Sequence, residues 1–323
     1  MGLNEACAAI KKYNTFLITV HTSPEGDALG AELGFYNLIR RLGKNGIIIN
    51  EDKVPYGFDF LCKNKPIHLL NGESKNIKFD CFVVLDCADL KRTGDVYKLN
   101  KNNKPVLNID HHISNQSFGD VNWVDPEASS CSEMIFKLYK KLRQPIDKEA
   151  ALALYTGIMT DTGSFRYSNT SSFTFKAAAE LLKSGLSVSQ VYRNTYENIP
   201  VGDIKLLLRL LPKIKFYCQS KVAGFQIDKQ LIKAKKTSID LADQLLSFGR
   251  AIKGVEVVVL FKENLGEKNQ VRVNLRSQGN VDVNKIASFF GGGGHKTASG
   301  ATLTGSIKKI EEKVIAKIQS SLV

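Results

Sequence analysis

Short apolar runs alternate along this chain with longer stretches of helical spacing, and several of the runs end in a charged or histidine side chain. "FLITV" (16–20) is followed by "HTSPEGDALG" (21–30), "CFVVLDCAD" (81–89) closes on acids, and "PVLNIDHH" (105–112) ends in an aspartate and two histidines. Between them, "ALGAELGFYNLIRRLGK" (28–44) repeats Leu29, Leu33, Tyr36 and Ile39 at helical intervals, with Gly43 placed to end the helix. "GIIIN" (46–50) reads as a further buried strand, "ASSCSEMIFKLYKKL" (128–142) as a helix with a serine cap, and "DKEAALALYTGIMTDTGSF" (147–165) as a helix running into a polar turn. Such alternation predicts a largely parallel sheet with helices on both faces.

The pattern breaks over residues 186–214, where "NIPVGD" and Pro212 flank the short helical run "IKLLLRLLPKI". It restarts with "KVAGFQI" (221–227), a helix near 239–252, strands at 255–261 and 270–277, a helix at 282–290 that runs into "GGGGH" (291–295), and a last amphipathic helix at 306–322. The expectation is two α/β domains. The first spans residues 1–195, a helical linker 196–215, and a smaller second domain 216–323, with a site in the cleft between the two. At 323 residues the chain is long enough for this.

Composition narrows the function classes. No run approaches the ~18 apolar residues of a membrane helix. The N-terminal "MGLNEACAAIKKYN" lacks the apolar core of a secretion signal, so the expected location is the cytoplasm and no membrane partner is expected. The six cysteines are scattered without a C-x-x-C pair, which fits reduced thiols rather than a disulfide framework or a zinc knuckle. The net charge of +13 favours an anionic substrate or partner.

In a parallel sheet, functional groups collect at the carboxyl ends of the strands. His21, Asp86, Asp110, His111 and His112 all fall at such ends, and Asp161 in a turn after a helix. This set of imidazoles and carboxylates, with no thiolate at the key positions, suits magnesium, manganese or a related divalent ion; zinc remains compatible. A pair of such ions is able to activate water and stabilise charge on a phosphoryl group. His68, in "KPIHLL", has no acidic neighbours and reads as an ordinary packing or surface histidine.

Taken together, "HTSPEGDALG", "VVLDCAD", "NIDHH", "TGIMTDTGSF" and "GGGGHKTASG" resemble the motifs of the DHH phosphoesterase superfamily, and within it the stand-alone bacterial nano-RNase/pAp phosphatase group. The resemblance runs from about residue 10 to the end of the chain. It implies an enzyme that uses two divalent ions, manganese above all, with magnesium or cobalt as alternatives. His21 and Glu25 would hold one ion, Asp27, His111 and Asp161 the other, and Asp86 both. Asp110 would orient the histidine pair, and His112 would face the substrate phosphate. Glu25 stands where the family commonly has aspartate, and Gly26 between the two acids reads as the residue that permits a tight turn.

In the second domain the resemblance assigns nucleotide binding to Gly292, Gly293, Gly294, His295 and Arg276, with Ser277 as a further candidate. Arg166 is a candidate phosphate contact in the first. The implied substrates are short RNA and pAp (3′-phosphoadenosine 5′-phosphate). Cyclic or linear dinucleotides form a second reading, and a non-catalytic nucleotide-binding or RNA-binding module a third. A pyrophosphatase is disfavoured by the glycine-rich segment. A homodimer is left open.

Overall fold

The computed structural model describes residues 2–63, 67–228, 241–263 and 269–322. The chain divides into two compact units, Met1–Asn198 and Ile199–Val323.

In the first unit, helix α1 (Leu3–Lys12) leads into β1 (Thr15–Thr19), α2 (Gly26–Arg41), β2 (Asn45–Asn50), β3 (Ile67–Leu69), β4 (Cys81–Leu85), β5 (Val106–Asp110) and β6 (Val121–Val124). Helices α3 (Cys131–Lys141), α4 (Lys148–Asp161), α5 (Ser172–Leu182) and α6 (Val188–Tyr196) complete it. The six strands are parallel, in the order β3-β2-β1-β4-β5-β6. The order reverses at β1, so the chain leaves β1 toward one edge and returns through β4 toward the other. Such a reversal opens a crevice beyond the carboxyl ends of the two strands.

Strand residues alternate between two apolar layers. Phe16, Ile18, Val83, Leu85, Leu107 and Ile109 pack in one core with residues of α1 to α6. Leu17, Ile49, Phe82 and Val84 face the opposite way, into a smaller core with Phe79 and Val96. Here the structure differs from the expectation of helices on both faces. Among the described residues, the second face is covered by loops and by the 3₁₀ segment Leu90–Leu99. Gly94, at φ 64° and ψ −140°, breaks that segment, so it cannot run on as an α-helix.

The second unit comprises α7 (Val201–Leu210), β7 (Lys215–Tyr217), β8 (Val222–Ile227), α8 (Leu241–Arg250), β9 (Val257–Glu263), β10 (Gln270–Ser277), α9 (Val283–Phe289), β11 (Gly293–His295), β12 (Ala298–Thr304) and α10 (Ile307–Gln319). Its sheet has the order β11-β12-β10-β9-β8-β7 and is mixed: β8 and β9 are parallel, the other pairs antiparallel. One face packs Val257, Val271, Val273 and Leu275 against α9 and α10. The other packs Ala223, Phe225, Val258 and Leu260 against α7 and α8. Leu206, Leu207 and Leu210 of α7 belong to that core, so the segment expected as a linker is a packed helix of the second unit. The first two residues of the helix expected near 239–252 lie outside the described residues. "GGGGH", expected as a loop, contributes Gly293–His295 to a short edge strand.

No described helix is long and apolar enough to cross a membrane.

Candidate metal centre

The registers bring three strand ends level. Thr19 of β1 lies opposite Val84 of β4, and Leu85 of β4 opposite Ile109 of β5. His21, Asp86 and Asp110 therefore leave the sheet side by side at the point where the strand order reverses. Asp86 adopts a left-handed backbone (φ 53°), a conformation that costs a non-glycine residue roughly 1–2 kcal/mol. The hydrogen bond from its N–H to the Ile109 carbonyl (3.0 Å) ties the turn to the neighbouring strand.

Two helices supply the other carboxylates, and glycines bring them close. A Cβ on Gly30 of α2 would lie 2.6 Å from the Ala153 carbonyl of α4. A Cβ on Gly157 of α4 would lie 2.8 Å from the Ser132 Cβ and 2.9 Å from Asp27 Oδ1. Only hydrogen at these positions lets α2, α3 and α4 approach so nearly. Gly26 has the same explanation rather than the expected tight turn. It is the first residue of α2, its φ is not positive, and a Cβ there would crowd Thr160 (2.5 Å) and Phe58 (2.9 Å).

His111 Nε2 is the hub of the cluster. It lies 3.5 Å from Asp86 Oδ1, 3.7 Å from Asp27 Oδ2 and 3.7 Å from Asp161 Oδ2. Its Nδ1 is 3.3 Å from the Ala128 carbonyl, which fixes the ring with Nε2 inward. His21 Nε2 is 3.6 Å from Asp86 Oδ2, while its Nδ1 sits 2.7 Å from the Thr22 carbonyl. His112 Nδ1 is 2.7 Å from Asp110 Oδ1 and 3.7 Å from Asp86 Oδ1.

Ligand-type atoms of Asp27, Asp86 and His111 lie within 4.8 Å of one another, as do those of Asp86, Asp110 and His112. Asp86 belongs to both groups. Its Oδ1 is buried with no hydrogen-bond partner among the described residues. A buried carboxylate oxygen without a donor is costly unless something positive completes it. The donor set fits a divalent cation, because carboxylate oxygens and imidazole nitrogens converge at the orphaned atom.

The charges of the cluster pull against one another. Burial, reinforced by the charge of Asp86, raises the Asp27 carboxyl to about 6. Burial also pushes Asp161 well above the usual carboxylate range, with Asp27, Asp86 and Glu25 adding to the shift against the pull of His111. For Asp86 burial opposes ionisation, but the imidazoles of His111 and His21 that face it outweigh burial and hold the group well below its ordinary value. Burial disfavours the His111 imidazolium, yet Asp161, Asp86 and Asp27 raise it well above its ordinary value. Opposed shifts of this kind gather where carboxylates and imidazoles are packed together away from water.

The remaining predicted residues are distributed as follows. Glu25 is exposed at the N-cap of α2, where its side chain makes no capping bond, and its charge reaches Asp161. Arg166 is exposed and donates from Nε to the Gly163 carbonyl (2.6 Å). In the second unit, Arg276 is partly buried on β10 with Nη2 3.8 Å from Asp243 Oδ1. Ser277 is fully buried, and Gly293, Gly294 and His295 form β11 directly after Gly292.

Four supporting groups escaped the sequence reading. Both Asp27 oxygens accept backbone N–H groups at the start of α3, from Cys131 (2.6 Å) and Ser132 (2.8 Å). Asn115 Nδ2 donates to Asp110 Oδ2 (2.6 Å). Asn169 Nδ2 donates to the carbonyls of Ser129 (2.9 Å) and Asp161 (3.1 Å). The positive charge of Arg92 opposes protonation of His21. Arg92, Asn115 and Asn169 each lie three or four residues beyond a motif, but nothing in their local sequence marks the contact they make.

A strand-end cluster of carboxylates and imidazoles at the switch point of a parallel sheet is suited to hold divalent cations beside a bound substrate. The chain belongs to the DHH family: residues 15–158 match the model for the DHH family, N-terminal domain, and residues 222–320 the DHHA1 domain. It is 30% identical over 302 residues to the bifunctional oligoribonuclease and PAP phosphatase NrnA of Bacillus subtilis (strain 168), covering 93% of this chain and 92% of that protein. Identity is also 30%, over 314 residues, to the protein of the same name from Thermus thermophilus, covering 94% and 89%. Among solved structures, an exopolyphosphatase-related protein from Bacteroides fragilis superposes with a TM-score of 0.86 at 26% identity, covering 98% of this chain and 96% of that one.

Proposed function

We propose that this protein hydrolyses short oligoribonucleotides to 5′-nucleotides and removes the 3′-phosphate of pAp, as a manganese-dependent phosphoesterase of the cytoplasm. The observation that carries the reading is Asp86. Its Oδ2 faces His21, and its Oδ1 faces His111 and His112. One carboxylate so placed is suited to serve two cation positions. His21 and Glu25 would complete one, and Asp27, His111 and Asp161 the other. Bound divalent ions supply the charge that makes water nucleophilic at neutral pH and stabilises a phosphoryl group under attack.

The chain's own residues do the rest. Cys131 and Ser132 amides hold Asp27 in place. Asp110 accepts from the His111 N–H (2.9 Å) and contacts His112 Nδ1, which leaves the outer ring nitrogen of His112 pointing away from Asp110, where it would face a substrate phosphate. His112 there steadies the phosphate or the leaving oxygen. Arg276, His295 and the adjoining glycines supply nucleotide contacts, as guanidinium and exposed backbone N–H groups suit a terminal phosphate. The naming of both NrnA relatives for oligoribonuclease and PAP phosphatase activity supports this substrate class over cyclic dinucleotides. Buried thiols at Cys81, Cys87 and Cys131 support a reducing compartment.

The test is nucleotide release in manganese from pAp, pApA, a 5-mer RNA, a 24-mer RNA and cyclic di-AMP, with His111→Ala as control. Release from pAp and the short RNAs, lost in the variant, is the expected result. A preference for cyclic di-AMP, or equal rates on the 5-mer and 24-mer, overturns the substrate assignment.

A further inference from the structure

Of the four aspartates in the cluster, Asp161 is held least. Asp27 accepts two backbone amides, Asp86 faces three imidazoles, and Asp110 accepts from the His111 N–H and from Asn115. The Asp161 side chain is partly exposed, and among the described residues its carboxylate accepts one hydrogen bond, from Asn169 Nδ2 (3.5 Å). The same nitrogen donates to the Asp161 carbonyl (3.1 Å), one of the last carbonyls of α4, which a helix leaves without an internal partner. It also donates to the Ser129 carbonyl (2.9 Å).

The chain doubles back to make these contacts. Gly163, Ser164 and Phe165 all take a left-handed backbone (φ 55°, 60° and 64°). This costs each of the two non-glycine residues roughly 1–2 kcal/mol. Strain of this kind persists only where the surroundings fix it. Ser129, for its part, belongs to a segment that already serves two other members of the cluster. The Ala128 carbonyl meets His111 Nδ1 (3.3 Å), and the Cys131 and Ser132 amides hold Asp27. The segment is itself pinned, because buried Glu133 accepts from Ser129 Oγ (2.6 Å) and from Thr174 Oγ1 of α5 (2.7 Å). Asn169 Nδ2 therefore ties the frame that sets Asp27 and His111 to the helix end that carries Asp161.

The amide stands one way round. Carbonyl oxygens accept and do not donate, so the NH₂ group faces Ser129 and Asp161, and Oδ1 faces elsewhere. That oxygen is buried with no hydrogen-bond partner among the described residues. An acceptor so placed calls for a donor, such as a water held on a cation.

We propose that Asn169 is the positioning residue for the ion position of Asp27, His111 and Asp161, and has no such role at the position of His21 and Glu25. The proposal rests on the two ion positions given under the proposed function and deepens that reading.

The experiment is calorimetric titration of the metal-free full chain with manganese, unaltered and as Asn169→Ala, Asn169→Leu, Asp161→Asn and Glu25→Gln. Asn169→Leu keeps nearly the size of the side chain and removes the tie, so it separates the tie from packing. Both Asn169 variants are expected to weaken, roughly 10- to 100-fold, the binding step that Asp161→Asn weakens. They leave the step that Glu25→Gln weakens within about twofold, as separate sites do. A merely structural role would instead lower the melting temperature of the metal-free chain and weaken both steps alike. Equal weakening of both steps, or of neither, overturns the role of Asn169 and leaves the ion positions standing. Binding of fewer than two manganese ions by the unaltered chain overturns the ion positions and this proposal together.

Discussion

The two units treat polar groups in opposite ways. In the first, Asp27, Asp86, Asp110 and His111 are each less than 5% exposed, and nearly every polar atom is held by an amide, a carbonyl or another member of the cluster. In the second, Arg272 and Lys262 lie exposed at paired positions of β10 and β9. The difference fits the proposed function. Charge in a dry crevice acts strongly and needs no reorganisation, which suits bond breaking. Charge on an open face is screened and adaptable, which suits holding substrates of several lengths.

The sharpest way to break this comparison is Asp86→Asn, which keeps the shape and removes the charge. It should lower kcat by at least about 10³-fold, the order contributed by one preorganised electrostatic group. Single-turnover kinetics in manganese checks it. A loss no larger than that of a charge removed from the second unit would erase the contrast.

Next in size is Gly157→Ala. The added methyl would crowd Ser132 and Asp27, and overpacking of this kind costs about 1–3 kcal/mol. Denaturant titration should show the loss of stability, and activity should fall with it as Asp27 is displaced.

Removing a supporting group should cost less in stability but still weaken the cluster. Asn115→Ala deletes the donor to Asp110 Oδ2, and metal affinity or activity should drop 10–100-fold by the usual weight of such contacts, roughly. Titration of activity against manganese concentration separates the two effects.

A further prediction, read in stability alone, concerns Glu32, fully buried with both oxygens 3.0–3.1 Å from Asn50 Nδ2. Burial raises its carboxyl from 4.5 to about 8. The folded chain thus keeps a proton that the unfolded chain has lost above its own, lower pKa. The stability contribution is full below about pH 4.5, declines as pH rises, and is gone above about pH 8. Glu32→Gln should therefore flatten the dependence of thermal stability on pH between those values and raise the melting temperature at pH 9. An unchanged profile would show that Glu32 is ionised in the fold.

Much of the first unit was legible because strand periodicity and strand-end chemistry are local. "FLITVH", "VVLD" and "VLNIDHH" each declare a strand and what it delivers, and the sheet does bring His21, Asp86 and His111 together. What escaped depends on partners distant in sequence. Ser132 and Cys131 meet Asp27 across about 105 residues, and nothing near "CSEM" announces it. Gly26 was read as a turn residue because its neighbour across space, Thr160, was invisible. The glycines at 293–294 read as loop, since edge pairing with β12 depends on a strand that itself carries few strand-forming residues.

The clasp between Asp27 and the start of α3 has a practical consequence. Two backbone N–H groups, those of Cys131 and Ser132, end on a carboxylate that also faces the candidate metal position. Any event that draws electron density from Asp27 weakens those two bonds. Their amide exchange rates and chemical shifts are therefore a built-in gauge of the centre, readable site by site in solution without substrate and without turnover.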